Sequence, residues 1–141
     1  MGKLTCQDLM VGDWFKSVDY NSPFRITAIY DDVVQTQADY QSEIDGNWYS
    51  EVEIKDLVPI PLTEEILVKN GFEKSTRVGT YELNTDYYEI EVWDYSDGLW
   101  VVKVQYIEFS SLPYSQATIT HVHALQHLFR LCGIEKELVI D

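Results

Sequence analysis

Alternating apolar and polar residues run through the first half of the chain and predict short β-strands. The pattern is clearest over Phe24–Tyr30, where every second side chain from Phe24 onward is apolar. Further strands are predicted over Val11–Val18, Val33–Thr36 and Trp48–Leu57. Turn-forming residues predict breaks at Asn21–Pro23, at Asp31–Asp32 and in a loop over Gln37–Asp45. Strands this short cannot each bury a face alone, so we expect them to close into a small barrel, which also removes exposed edges.

Helical spacing appears after the two prolines at Pro59 and Pro61. Leu62–Asn70 predicts a helix that begins at Thr63, whose side chain can accept a hydrogen bond from the first-turn amides, and that ends at Gly71. A second helix is predicted over Thr120–Cys132, because its apolar residues recur at spacings of three and four. Strands are predicted between the helices, over Gly79–Leu83, Tyr87–Asp94 and Leu99–Phe109, with a hairpin turn at Ser96–Gly98.

These elements predict an α+β fold, with an N-terminal SH3-like small β-barrel followed by an antiparallel sheet that a C-terminal helix covers. We assign residues 1–61 to the barrel module and residues 62–141 to the α+β module, packed as one compact unit. A local resemblance supports the barrel. The opening VGDWF at Val11–Phe15 resembles the first strand of SH3-like barrels of the KOW and Tudor kind.

The chain is strongly acidic, with 24 Asp and Glu against 10 Lys and Arg and a formal net charge of -14. Between Ile26 and Val68 the only base is Lys55, against ten carboxylates. Such a surface repels phosphate, so we expect no direct binding of nucleic acid and no association with an anionic membrane. It favours a basic protein partner. The simpler interpretation is that the charge only keeps the protein soluble.

The cysteines and the N-terminus indicate a cytoplasmic protein. Cys6 and Cys132 have no spacing typical of a disulfide framework or a thiolate metal site. The N-terminus lacks the apolar core of a secretory signal, and no apolar run is long enough to span a bilayer. Unpaired strand edges in the C-terminal sheet would allow a homodimer without requiring one.

Three histidines, His121, His123 and His127, are the one cluster that could bind a metal. His123 and His127 share a helix face, but a zinc site needs a third ligand, and Arg130 lies close to both. We therefore predict a solvated polar helix face there. Paired carboxylates elsewhere are explained by turns, a helix start and a strand face, and Cys132 lies on an apolar face where a thiol is inert. We predict no catalytic residue, no metal ligand and no cofactor, hence no enzyme.

Aromatic side chains are the best indication of a binding surface. Four of them fall in or beside the predicted barrel strands, and exposed rings rimmed by carboxylates would suit a basic or proline-rich peptide. The candidate partner-binding residues are Trp14, Tyr30, Trp48, Tyr49, Asp31 and Asp32. The simpler interpretation, which we favour, is core packing: a small barrel needs large side chains to fill it, so we expect at least two of the four aromatic side chains to be buried.

Two segments carry a wider resemblance, IPLTEEILxKNGF at Ile60–Phe72 and VHxLQHLxRLCGI at Val122–Ile134. With the barrel-like start, they resemble an uncharacterised family of small acidic proteins carried by phages and mobile elements of gut bacteria. The resemblance implies an origin but no activity. The leading hypothesis is a non-enzymatic protein-interaction module that binds a basic or proline-rich protein surface. The alternatives are a nucleic-acid mimic that inhibits a host defence enzyme and a metal-dependent enzyme that uses His123 and His127.

Overall fold

The computed structural model describes residues 4–107 and 115–140. The chain divides into two compact units, of which the first runs to Ile60 and includes Ile140, and the second is Pro61–Val139. Each unit holds a five-stranded antiparallel sheet, and the second also holds two α-helices in its described residues. The predicted α+β class is therefore confirmed.

Five strands form the sheet of the first unit: β1 (Trp14–Ser17), β2 (Tyr20–Ile29), β3 (Val33–Gln41), β4 (Trp48–Glu53) and β5 (Leu57–Pro59). Their order is β4-β3-β2-β1-β5, and the sheet is curled into a half-barrel. Consecutive strands β4 and β5 lie at opposite edges, joined by a 3₁₀ turn at Ile54–Asp56. The buried core consists of Leu9, Phe15, Phe24, Ile26, Val34, Tyr40, Val52, Ile54 and Leu57.

The Gly-Asp step before β1 has a structural explanation. Gly12 adopts a φ of 95°, a conformation that side chains with a Cβ disfavour. Asp13 is fully buried, and its Oδ2 accepts a hydrogen bond from the Met10 N–H at 2.8 Å. Gly12 N–H donates to the Ile26 carbonyl at 2.7 Å, and Ile26 N–H donates to the Asp13 carbonyl at 2.9 Å. These backbone hydrogen bonds hold the Gly12–Asp13 step against β2. The bond from the Met10 N–H gives the buried Asp13 carboxylate a partner, without which its burial would be costly.

The predicted turn at Asn21–Pro23 is wrong, because these residues lie inside β2. The chain reverses earlier, at Val18–Asp19, between β1 and β2. Pro23 has no N–H to donate, and it lies close to the register shift between Phe15 and Ser17, where regular pairing is interrupted. Pairing along β1 thus outweighs the local turn preference.

Other strand boundaries in the first unit also differ from the prediction. The strand β3 continues to Gln41, so the first half of the predicted loop over Gln37–Asp45 is extended. The predicted strand Trp48–Leu57 is broken by the 3₁₀ turn, because Leu57 pairs with β1 and not with β3. The turn at Asp31–Asp32 is confirmed, and it brings the Tyr30 N–H to 2.9 Å from the Val33 carbonyl.

The second unit contains α1 (Glu64–Lys69), β6 (Glu73–Lys74), β7 (Thr80–Asn84), β8 (Tyr88–Ser96), β9 (Leu99–Tyr106), β10 (Ser115–Ile119) and α2 (Val122–Leu131). Its sheet has the order β10-β9-β8-β7-β6. The sequence did not predict β6 or β10, and the predicted strand end at Phe109 lies outside the described residues. Ile90 and Val92 are fully buried while Glu89 is exposed, so β8 has one covered face and one polar face.

Both helices end in the same way, and the predicted end of the first helix at Gly71 is confirmed. Gly71 and Gly133 adopt φ values of 91° and 74°. After α1 the Phe72 N–H donates to the Leu67 carbonyl at 3.0 Å, and after α2 the Ile134 N–H donates to the equivalent carbonyl five residues back at 2.8 Å. These are Schellman caps, in which a left-handed residue lets the chain satisfy carbonyls that the helix leaves free.

Two long-range contacts, made by three hydrogen bonds, tie the helices of the second unit to its other segments. The Tyr88 hydroxyl on β8 donates to the Cys132 carbonyl at the end of α2, at 2.6 Å. The buried Asn70 side chain, at the end of α1, donates to the Val139 carbonyl at 3.0 Å and accepts from the Val139 N–H at 2.7 Å. The contact between Asn70 and Val139 was not predicted, because the residues around Asn70 indicate only the end of a helix.

Candidate functional site

Most of the candidate aromatic side chains of the first unit are exposed. Trp48 is 67% exposed, Tyr30 is 51% exposed and Tyr49 is 37% exposed, while Trp14 is half-buried. The guanidinium of Arg25 lies over the Trp14 ring, 5.7 Å from its centroid. The expectation that core packing buries at least two of the four is therefore wrong. Phe15, Phe24, Tyr40 and the aliphatic residues of the core fill the half-barrel instead.

A cavity of the first unit has a volume of about 770 Å³, and we call it the acidic groove. It is lined by Leu4, Thr5, Asp31, Asp32, Glu53, Ile54, Lys55, Leu57 and Pro59. The buried side chains of Ile54 and Leu57 provide its apolar floor, while Asp31 and Asp32 are exposed. The groove therefore combines an apolar base with an acidic margin.

The one base that lines the acidic groove is already paired. Lys55 Nζ lies 3.1 Å from Glu53 Oε2, and this hydrogen bond, with the charges of Glu53 and Asp56, raises the pKa of Lys55. Asp31 and Asp32 have no such cation among the described residues. The groove therefore keeps uncompensated negative charge at the turn between β2 and β3.

A second cavity of about 360 Å³ lies in the same unit, and we call it the tyrosine pocket. It is lined by Ser17, Asp19, Val33, Tyr40, Tyr49, Glu51, Val52, Glu53 and Asp56. The Tyr40 and Tyr49 rings are 6.0 Å apart between centroids. Four of these lining residues are carboxylates, and no Lys, Arg or His is among them. Glu53 lines both this pocket and the acidic groove.

Hydrogen bonds fix the tyrosines of this pocket. Asp19 accepts hydrogen bonds from the Ser17 hydroxyl and from the Tyr40 hydroxyl, the latter at 3.3 Å. Burial of the ring and the nearby charge of Asp19 raise the pKa of Tyr40. The Tyr49 hydroxyl donates to Asp45 Oδ2 at 2.5 Å, which raises the pKa of Tyr49 and lowers the pKa of Asp45.

The second unit has a pocket of different charge, with a volume of about 530 Å³. We call it the mixed pocket, and its charged lining residues are Glu64, Lys74, Arg77 and Asp94. Lys74 Nζ lies 3.0 Å from Glu64 Oε1, so acids and bases balance there. Trp100 also lines this pocket, but it is buried, and its Nε1–H donates to the Leu62 carbonyl at 2.9 Å.

The histidines form a half-buried row at the start of α2 and not the fully solvated face that we expected. Ring centroids of His121 and His123 are 5.9 Å apart, and those of His123 and His127 are 5.6 Å apart. Burial lowers the pKa of His121, whose Nδ1 lies 2.8 Å from the Thr120 hydroxyl oxygen. Within residues 4–107 and 115–140, no group of three or more His, Cys, Asp or Glu side chains is placed to hold a metal ion.

The six candidate residues do not form one site. Asp31 and Asp32 line the acidic groove, and Tyr49 lines the tyrosine pocket. Trp48 starts β4 and pairs with Gln41 at the far end of β3 from the acidic turn. Sequence reasoning missed the groove floor, because Leu4, Ile54 and Leu57 come from segments that only the fold brings together. It also missed the carboxylates of the tyrosine pocket, which strand alternation alone could not assign to one cavity.

Comparisons of the chain with protein-family models, curated proteins and solved structures gave no match. Among the described helices, none has the length and apolar character required to cross a bilayer. The functional argument therefore depends on the cavities and the exposed side chains.

Proposed function

We propose that the protein is a non-enzymatic interaction module that binds a basic segment of another protein through its first unit. The observation that carries this proposal is the charge of the two cavities in that unit. Both are lined by more carboxylates than bases, whereas the mixed pocket of the second unit is balanced. Complementary charge steers a basic partner and suppresses acidic ones.

Exposed aromatic rings would add apolar contact area to the charge of the first unit. Trp and Tyr supply large contact areas and are enriched among the residues that contribute most to protein interfaces. Trp48 and Tyr30 are more than half exposed although the same unit has a core that other residues fill.

The fold of the first unit fits this role. Its strand order, β4-β3-β2-β1-β5, and the 3₁₀ turn between β4 and β5 support an SH3-like barrel as the finer description of the half-barrel. Peptide recognition in grooves of small β-domains is a recurring mode of protein interaction. The resemblance of the Ile60–Phe72 and Val122–Ile134 segments supports a phage or mobile-element origin, where the partner would be a host protein.

Capture of proteins from a lysate of a gut bacterium tests this proposal if two charge-neutral variants are compared. Trp48→Ala with Tyr49→Ala removes exposed rings of the first unit. Tyr87→Ala with Tyr95→Ala removes exposed rings of the second, where these residues are 61% and 68% exposed. We expect a basic protein to be retained by the wild type and by the second variant, and its yield to fall about tenfold with the first.

Two results would reverse the proposal. One is a chain that captures no protein but shows a thermal shift with a small metabolite, which would favour an enzyme or a small-molecule carrier. The other is capture that survives loss of Trp48 and Tyr49 and is abolished by any acidic competitor, which would indicate plain ion exchange.

A further inference from the structure

We infer that the acidic groove binds an extended peptide segment in which an apolar side chain lies next to Lys or Arg. This inference deepens the proposed function and rests on it, because it assigns one cavity and one ligand class to the interaction.

The groove has the dimensions of a ligand site. Its volume of about 770 Å³ lies within the range of about 300–1,000 Å³ that is typical of binding pockets. Its floor is made by Ile54 and Leu57, which also belong to the core, so the floor is fixed by the packing of the half-barrel. Leu4 and Pro59 continue the apolar lining. An apolar side chain placed there would gain the free energy of removing both surfaces from water.

The charge of the groove selects what accompanies that apolar side chain. Lys55 already neutralises Glu53. Asp31 and Asp32 remain uncompensated by any ion pair among the described residues. A phosphate or a carboxylate ligand would be repelled, and an uncharged proline-rich peptide would leave both acids without a partner. A Lys or Arg side chain placed at the margin would form charge-assisted hydrogen bonds with them.

The acidic turn is held in place before any ligand arrives. Tyr30 N–H donates to the Val33 carbonyl at 2.9 Å, which closes the turn. Ile54 N–H donates to the Asp32 carbonyl at 2.9 Å, which ties the turn to the segment that forms the groove floor. The distance between the acidic margin and the apolar floor is therefore set by the fold, and a preorganised site loses less entropy on binding.

A random dodecapeptide library selected against the immobilised full-length chain tests the inference. We expect enriched peptides to carry an apolar residue within two positions of Lys or Arg and to have net positive charge. The most enriched peptide, labelled with a fluorophore, should lose about tenfold or more in affinity with Asp31→Asn plus Asp32→Asn. This substitution preserves side-chain size, so the variant is expected to fold as the wild type does.

Asp39→Asn plus Asp86→Asn is the matched control, because it removes the same charge at two exposed positions that line neither cavity of the first unit. The control should bind the peptide nearly as the wild type does. Equal loss in both double variants, enrichment of peptides without a base, or no enrichment at all would overturn the inference. If lysate capture still depends on Trp48 and Tyr49 while the Asp31 and Asp32 substitutions have no effect, the proposed function stands and this groove is not its site.

Discussion

The two units differ in the charge of their cavities, although both bury some aromatic rings and expose others. In the second unit the large rings Trp100 and Phe129 are buried, and the charged residues of the mixed pocket are balanced between acids and bases. In the first unit Trp48 is 67% exposed, and both cavities are lined by excess carboxylate. Exposed rings are common to both units, since Tyr87 and Tyr95 of the second are 61% and 68% exposed. The feature specific to the first unit is the excess of carboxylates around the acidic groove and the tyrosine pocket.

Under the proposed function, this difference places the binding surface on the first unit. A core can be built without exposing Trp48 or accumulating like charge near Asp31 and Asp32, because like charges destabilise a compact state. Features that cost stability and do not serve packing point to function. The predictions that follow measure how far the two units differ.

The largest expected effect comes from emptying either core. Phe15→Ala in the first unit and Phe129→Ala in the second remove side chains that are 0% and 1% exposed. Each should lower the free energy of unfolding by about 3–5 kcal/mol, because the transfer free energy is lost and a cavity remains. Urea denaturation followed by tryptophan fluorescence and circular dichroism measures this. A loss below about 1 kcal/mol for either would show that the corresponding core is not packed as described.

The helix caps should contribute less than the cores, and equally. Gly71→Ala and Gly133→Ala each force a residue with a Cβ into left-handed backbone, at a cost of about 1–2 kcal/mol. The nearest atoms to a new Cβ are 3.7 Å away at Gly71 and 3.9 Å away at Gly133, so sterics add little. Asn at either position should cost less than Ala, since Asn tolerates this conformation. Thermal unfolding of the four variants gives the comparison, and an Asn variant less stable than its Ala counterpart would contradict the cap assignment.

Alkaline pH should weaken the first unit through Tyr40. Its pKa is raised from the ordinary value of 10.0 by burial and by the charge of Asp19, so the folded state holds its proton to higher pH than the unfolded state does. Stability therefore falls as pH rises above about 10. Tyr40→Phe should lose part of this dependence, as measured by urea denaturation across that range. An unchanged slope in the variant would exclude Tyr40 as its source.

Acid pH should weaken the second unit through His121, with the smallest effect of the series. Burial lowers its pKa from the ordinary value of 6.5, so the unfolded state binds a proton that the folded state resists. Stability is lost as pH falls through about 6.5 towards the lower folded pKa. His121→Gln should reduce the difference in unfolding free energy between about pH 7.5 and about pH 5.5. Titration of the carboxylates is common to both proteins and cancels in the comparison.

Local signals in the sequence were sufficient for the elements that depend on nearby residues. Thr63 starts α1, where its hydroxyl oxygen accepts from the Ile66 N–H at 3.3 Å, and Gly71 ends it. The hairpin at Asp97 and Gly98 follows for the same reason, since both adopt positive φ in a two-residue turn. Such features are decided within a few residues, so the sequence predicts them.

Long-range pairing decided the rest, and the sequence does not show it. Asn21–Pro23 has turn chemistry but lies inside β2, because β1 supplies a partner strand. The 3₁₀ turn at Ile54–Asp56 interrupts a regular alternation so that β5 can reach the opposite edge of the sheet. The acidic groove is a consequence of that crossing. Asp31 and Asp32 were candidate residues from the sequence. Ile54 and Leu57, which form the floor of the groove, could not be identified in that way.

Amide chemical-shift mapping of the full chain titrated with the most enriched basic dodecapeptide tests the central claim most directly. The account predicts that the largest shifts fall at Asp31–Asp32 and over Glu53–Leu57, with little change at Thr80 and Asp94 beside the mixed pocket. Shifts concentrated around the mixed pocket, or spread evenly over exposed acids of both units, would contradict the claim that the first unit carries the binding surface.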